Sequence, residues 1–143
     1  MGFTDVTVLD VSKSALDLAR QRNVPGGAIS YVCANLLEWQ PERRFGLWHD
    51  RAVLHFLVQP ADREIYLAKL KEAVASDGAV IIGTFAEDGP EQCSGLPVAR
   101  YAPEQLEAFL GNAFEVVRTC REQHTTPAGA VQSFAWVAAQ CRY

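Results

Sequence analysis

The segment Val6-Thr7-Val8-Leu9-Asp10 constrains this chain more than any other: it has the β-branched character of a strand and ends in an acid, and Ser12 follows as a helix cap. In a doubly wound α/β sheet, an acid at the tip of the second strand is placed to hold ribose hydroxyls. The Gly-rich turn of the first βα unit lies roughly 20 residues before it. Only nine residues precede Asp10. The run therefore reads as the second strand of such a sheet, and the expectation is a nucleotide-cofactor domain that lacks its opening βα unit. No G-x-G occurs anywhere in the sequence, so no other segment offers the close backbone approach that such a turn provides.

Strand-like and helix-like segments then alternate, the pattern of parallel βαβ units. Ser12 can cap a helix carrying Ala15, Leu16, Leu18 and Ala19, which Asn23-Val24-Pro25-Gly26-Gly27 ends with breaker chemistry. Ala28 to Cys33 is a second strand and Phe45 to Trp48 a third, with His49, Asp50 and Arg51 just after it. Ala52 to Leu57 is a short apolar helix candidate. Pro60 can open a longer helix to about Ala75, because a missing N–H costs nothing at a first helical position. On that helix Ile65, Leu67, Ala68, Leu70, Ala73 and Val74 form the apolar stripe, with Arg63, Glu64, Lys69, Lys71 and Glu72 on the wet side. Ser76-Asp77-Gly78 turns the chain into a buried strand, Ala79 to Phe85. Ala86 to Val98, rich in Gly and Pro, reads as a long loop of the kind that serves as a lid. Pro103 to Leu110 is a short helix stopped by Gly111-Asn112. Phe114 to Arg121 and Val131 to Ala138 are strands whose linker, Glu122 to Ala130, is too short for a helical crossover, so they form an antiparallel hairpin. With 143 residues, 49% of them hydrophobic, the expectation is a single domain spanning residues 1–143 around one core.

A net charge of −4 with no basic face excludes a phosphate-backbone partner. Arg43, Arg44 and Arg51 read as a solvated loop end. No apolar stretch approaches the roughly 18 to 20 residues of a membrane span. The N-terminus lacks the basic and apolar segments of a signal peptide, so a cytoplasmic protein is expected. Cys33, Cys93, Cys120 and Cys141 form no C-x-x-C pair and are expected as free thiols. His49, Asp50 and His55 are metal-ligand residue types, but an HD metallohydrolase dipeptide belongs to an all-helical scaffold and this one ends a strand-like run, so no metal is expected.

Parallel strands with helices followed by a terminal antiparallel pair, together with three motifs, resemble the class I S-adenosylmethionine-dependent methyltransferases. Val8-Leu9-Asp10-Val11-Ser12 resembles the family's second motif and Val32-Cys33-Ala34-Asn35-Leu36 its third. Leu47-Trp48-His49-Asp50-Arg51-Ala52-Val53-Leu54-His55-Phe56-Leu57 resembles the fourth motif of the bacterial type 12 branch, W-H-D-R-A-V-x-H-F-L. The resemblance covers Gly2 to about Ala139. It implies a Rossmann-like methyltransferase sheet, mostly parallel with a C-terminal antiparallel hairpin, of order 3-2-1-4-5-7-6 less its first strand. Two departures stand out: the first strand with its G-x-G turn is absent, and Asn35 stands where an acid often accepts from the adenine amino group.

The resemblance implies S-adenosylmethionine as cofactor, with Asp10 on the ribose hydroxyls and Val11 on the adenine ring. Asn35, Leu36, Asp50 and Arg51 complete the cofactor side. Asp50, His55 and His49 are the candidate catalytic residues, Asp50 or His55 orienting or deprotonating the acceptor. The bland alternatives are a dipole-favoured acid for Asp10, plain core for Val11, an ion pair of Arg51 with Asp50 or Glu38, and a hydrogen-bonded core histidine for His55. Tyr101 and His124 are candidates for lining a small-molecule acceptor pocket. The implied activity is methyl transfer to that acceptor, impaired by loss of the Gly turn. The rival reading is a truncated or degenerate non-catalytic domain that serves as an oligomerising or interaction module. Deleting the central strand would leave bare edges, for which a homodimer is expected. The alternative is a closed-up six-stranded monomer of order 3-2-4-5-7-6.

Overall fold

A computed structural model of the protein describes residues 2–22 and 28–142. The expected helix-breaking residues 23–27 lie outside them. The chain divides into two compact units, Met1–Gln40 and Pro41–Tyr143.

In the first unit, β1 (Asp5–Asp10) and β2 (Ala28–Cys33) pair in parallel, with Asp10 opposite Cys33. Between them runs α1 (Lys13–Gln21), capped as expected: the Ser12 hydroxyl accepts from Ala15 N–H at 3.2 Å. Leu16 is the buried residue of this helix, and Leu18, expected in its apolar stripe, is 54% exposed.

The second unit is built on a four-stranded sheet of order β3-β4-β8-β7. β3 (Phe45–Arg51) and β4 (Val74–Phe85) are parallel, while β8 (Val131–Cys141) is antiparallel to both β4 and β7 (Phe114–Thr125). Among the described residues, the strands of the first unit form a two-stranded ladder and these four of the second a four-stranded sheet. The core holds Leu54, Tyr66, Leu70, Val80, Ile82, Phe85, Leu106, Leu110 and Val137, all at most 1% exposed.

Four local expectations are corrected. β3 runs on through Arg51, so His49, Asp50 and Arg51 are the strand's last residues and alternate across the sheet. The apolar helix after it is a single 3₁₀ turn, Leu54–Phe56. No turn separates α2 (Pro60–Ala73) from β4, which absorbs Ser76, Asp77 and Gly78 through a register shift against β3. The buried face of α2 is Tyr66, Lys69, Leu70 and Ala73, whereas Ile65 is 41% exposed.

The long loop contains a small hairpin of β5 (Gln92–Cys93) and β6 (Leu96–Pro97). Its turn residues Ser94 and Gly95 both have positive φ, 51° and 78°, which is the geometry that matches strand twist in a two-residue connection. The helix α3 (Pro103–Leu110) falls where expected, and the Gln105 side chain closes its start by accepting from Ala102 N–H at 2.7 Å. The final hairpin is longer than expected. The bond from Gln123 Nε2 to Ser133 Oγ extends the pairing, and Thr126 N–H to Ala130 O closes the turn. All four cysteines are free thiols. No helix among the described residues is long and apolar enough to cross a membrane.

Candidate functional site

The first unit gathers Asp10, Val11, Asn35 and Leu36 at one edge. Parallel pairing brings the carboxyl ends of β1 and β2 side by side, and Ala34 N–H donates to Asp10 O at 3.1 Å. The half-buried Asp10 side chain accepts from Ser12 N–H through Oδ1 at 2.7 Å, while Oδ2 has no partner among the described residues. Val11 is 75% exposed, an apolar side chain left open beside that carboxylate. Asn35 uses its Oδ1 to accept from Leu37 N–H at 3.0 Å, and its carbonyl accepts from the amides of Glu38 and Trp39. The N–H of Leu36 has no partner among the described residues. A free carboxylate oxygen, an open apolar side chain and a free amide on one edge fit the ribose and base of an adenosine group.

In the second unit, strand alternation splits the fourth motif. Asp50 sits on the helix-covered face and is 4% exposed. Its Oδ1 accepts from Val53 N–H at 2.9 Å; its Oδ2 accepts from Leu54 N–H at 3.0 Å and from the Tyr66 hydroxyl at 2.7 Å. Trp48 Nε1 in turn donates to the Tyr66 hydroxyl at 3.3 Å. Burial pushes the Asp50 carboxyl above its usual range, with the three donated hydrogen bonds pulling the other way. Burial, then the Asp50 charge, raises the Tyr66 phenol well above 10. Between the carboxylate and the amides it holds lies Ala52, at φ 68°. A left-handed conformation costs a residue with a Cβ about 1–2 kcal/mol, and it persists where the surroundings over-determine it. The second tether is Ala52 N–H to Gly83 O, 2.8 Å.

His49 and Arg51 alternate to the opposite face. The His49 ring centroid lies 6.2 Å from that of Trp136, and the Arg51 guanidinium stands over Phe134 at 5.1 Å. His124 meets the same Phe134 ring edge-on at 6.2 Å, and Trp136 stacks on Phe134. Trp136 lies directly over Gly83, where a Cβ would come within 2.6 Å of its ring. Arg51, His124 and Trp136 thus gather around the buried Phe134 ring, with His49 beside Trp136.

His55 is fully buried. Its Nδ1 accepts from Phe85 N–H at 3.3 Å and its carbonyl from Ala99 N–H at 2.7 Å. Nδ1 being an acceptor, Nε2 carries the proton, and that atom is buried without a partner among the described residues. Burial pushes the imidazole down to about 4, so it is neutral at pH 7. Tyr101 is tied by its N–H to Phe85 O, and its hydroxyl is likewise buried without a partner.

The geometry therefore gives Asp50 and His55 backbone partners and leaves His49, Arg51 and His124 on an accessible face. Tyr66 was absent from the residues singled out by sequence. Its signal was helical spacing, since Tyr66, Leu70 and Ala73 recur at i, i+4 and i+7.

A family model described as a methyltransferase domain matches residues 1–82, more than half of the chain. No curated protein sequence matches. Among solved structures, the N-methyltransferase NodS from Bradyrhizobium japonicum, in complex with S-adenosyl-L-homocysteine, is 18% identical with a TM-score of 0.75, over 96% of this chain and 66% of that one. An S-adenosylmethionine-dependent methyltransferase from Methanosarcina mazei is 14% identical with a TM-score of 0.76, over 96% of this chain and 82% of that one. The 1,6-didemethyltoxoflavin-N1-methyltransferase from Burkholderia thailandensis, with bound 1,6-didemethyltoxoflavin and S-adenosylhomocysteine, is 22% identical with a TM-score of 0.71, over 96% of this chain and 61% of that one. The chain thus spans less than two thirds of the NodS and Burkholderia chains. It belongs to the methyltransferase-domain family and has the α/β fold of the class I S-adenosylmethionine-dependent methyltransferases.

Proposed function

We propose that the protein transfers a methyl group from S-adenosylmethionine to a small-molecule acceptor. The observation that carries this reading is the Asp10 carboxylate at the carboxyl edge of β1, with one oxygen fixed by Ser12 N–H and the other without a partner among the described residues. In this reading Asp10 accepts from the ribose hydroxyls. Val11 lies against the base, and Leu36 N–H with the Asn35 side chain borders its edge. The cofactor supplies an activated methyl group on a sulfonium that leaves neutral, so what the chain must contribute is alignment and exclusion of water, not a strong acid.

On the acceptor side, His49, Arg51, His124 and Tyr101 are the proposed contacts. Asp50 has both oxygens bonded and His55 presents a proton at Nε2, so their proposed role is to hold the backbone of the fourth motif. His49, an exposed imidazole, is then the side chain placed to take a proton from the acceptor. A homodimer through strand edges belongs to the same proposal, since β1 and β3 each pair with one strand among the described residues.

Calorimetric titration of the 143-residue chain with S-adenosylhomocysteine tests the cofactor assignment. Without a G-x-G turn, the expected dissociation constant lies between about 0.1 and 1 mM, or about −4 to −5.5 kcal/mol. Asp10→Ala weakens it further by about 1.5–3 kcal/mol, the worth of hydrogen bonds to a charged group. Equal binding by wild type and Asp10→Ala overturns the ribose assignment. No binding by either favours the rival reading of a non-catalytic interaction module.

A further inference from the structure

We propose that Tyr66 is a positioning residue: through Asp50 it locks the end of β3, and so sets where His49 and Arg51 stand on the opposite face of the sheet. The part of this inference that concerns methyl transfer rests on the proposed function; the lock itself does not.

The argument starts from the number of donors on one carboxylate. Asp50 leaves β3 on the helix side and receives Val53 N–H, Leu54 N–H and the Tyr66 hydroxyl at 2.7–3.0 Å. Two of these donors are the amides that open the 3₁₀ turn Leu54–Phe56. The third arrives from α2, sixteen residues away, and is the only side-chain hydroxyl among the three. A carboxylate that is 4% exposed has no water to replace a lost donor.

Tyr66 is held on its other side as well. Its ring is fully buried, its oxygen accepts from Trp48 Nε1, and the Trp48 and Tyr66 rings meet edge-on with centroids 6.0 Å apart. The relay Trp48 to Tyr66 to Asp50 therefore begins and ends on β3 and passes through α2. It brackets His49 in sequence and stands directly before Arg51.

What the relay has to hold is Ala52 at φ 68°. A left-handed alanine reverts when its restraints weaken, and reversion would rotate the peptides on either side, which carry Arg51 and Val53. His49 against Trp136 and Arg51 over Phe134 are the groups that such a rotation would displace.

Amide exchange and side-chain NMR on the ligand-free 143-residue chain test this. Tyr66→Phe keeps the ring and removes the hydroxyl. Exchange at Val53 and Leu54 is expected to accelerate at least tenfold, and the His49 ring resonances to lose part of their ring-current shift from Trp136. The amides of Val80, Ile82 and Val137 should change less than twofold. Adding Ala52→Gly, which adopts the same φ without penalty, should restore the His49 resonances. If Tyr66→Phe does not fold, Trp48→Phe decides, because it removes the donor to the Tyr66 oxygen and should give the same pattern with smaller amplitude.

Unchanged Val53 and Leu54 exchange overturns the proposal. So does a uniform acceleration across the core, which is the mark of lost stability alone, or a failure of Ala52→Gly to restore His49. No ligand enters these measurements, so their failure is distinct from the failure of the S-adenosylhomocysteine titration.

Discussion

The two units of the chain differ in how much core each holds. Met1–Gln40 carries Asp10, Val11, Asn35 and Leu36, yet Leu16 is its one buried hydrophobic residue among those described, and Phe3, Val11 and Leu18 are exposed. Pro41–Tyr143 holds every other buried hydrophobic residue among those described and a four-stranded sheet with helices. An isolated two-stranded element is marginal in water, whereas three or more strands with a packed face are independently stable. The residues proposed for the adenosine side thus sit on a scaffold with little core of its own, while the fourth motif is anchored in a packed one.

The largest test of that contrast separates the units. Residues 41–143 expressed alone are expected to unfold in a single cooperative thermal transition, and residues 1–40 alone to show none, by far-UV circular dichroism and one-dimensional NMR. In the intact chain the amides of β4 and β8 should outlast those of β1 and β2 in hydrogen exchange. Cooperative unfolding of residues 1–40, or its absence in 41–143, breaks the comparison.

Acid should also treat the units differently, because all three histidines lie in the second. His55 is buried and neutral, with its folded value depressed to about 4 from an ordinary 6.5. Its contribution is therefore fully present above pH 6.5 and is lost as pH falls from 6.5 toward 4, by ~3 kcal/mol at most. Asp50 acts in the opposite sense: its folded value is raised, so acidification through that value returns stability and works against the His55 loss. Urea unfolding between pH 7.5 and 4 should show the decline in wild type. It should be flattened in His55→Asn, whose amide oxygen can replace Nδ1 as the acceptor from Phe85 N–H. An identical pH slope in both proteins removes His55 from the account.

Periodicity and breakers made much of this fold legible. β2 and α3 fall at the residues expected, and the Ser12 cap and the terminal hairpin are also found, because each is specified locally. What local pattern could not carry is which face a residue chooses once its element lengthens. Extending β3 by three residues takes His49, Asp50 and Arg51 from just after the strand into it, where Asp50 turns away from its neighbours. The hairpin inside residues 86–98 was hidden for a related reason: Ser94 and Gly95 are generic loop residues until their positive φ values pair Cys93 with Leu96. Lys69 was assigned to solvent by its charge, yet its stem lies on the buried face of α2 with the ammonium 3.8 Å from Glu72. Tyr66 matters through a partner sixteen residues away, which no spacing rule within one helix reports.

The smallest expected effect sharpens the comparison within the first unit, by separating the α1 cap from the acid proposed for the ribose. Ser12 serves both through different atoms: its hydroxyl accepts from Ala15 N–H, and its backbone N–H donates to Asp10 Oδ1. Ser12→Ala deletes the first bond and keeps the second. The cap is worth about 1 kcal/mol of helix stability, and α1 lies in the unit with little core, so the loss should appear as faster amide exchange in the first turn of α1. The melting transition, set by the second unit, should be unchanged. Titration with S-adenosylhomocysteine should change by less than about threefold, against the tenfold or greater loss expected for Asp10→Ala. A Ser12→Ala chain that loses as much affinity as Asp10→Ala would mean that α1 formation, not the carboxylate, governs the ribose edge. A chain whose melting temperature falls would mean that the two units unfold as one.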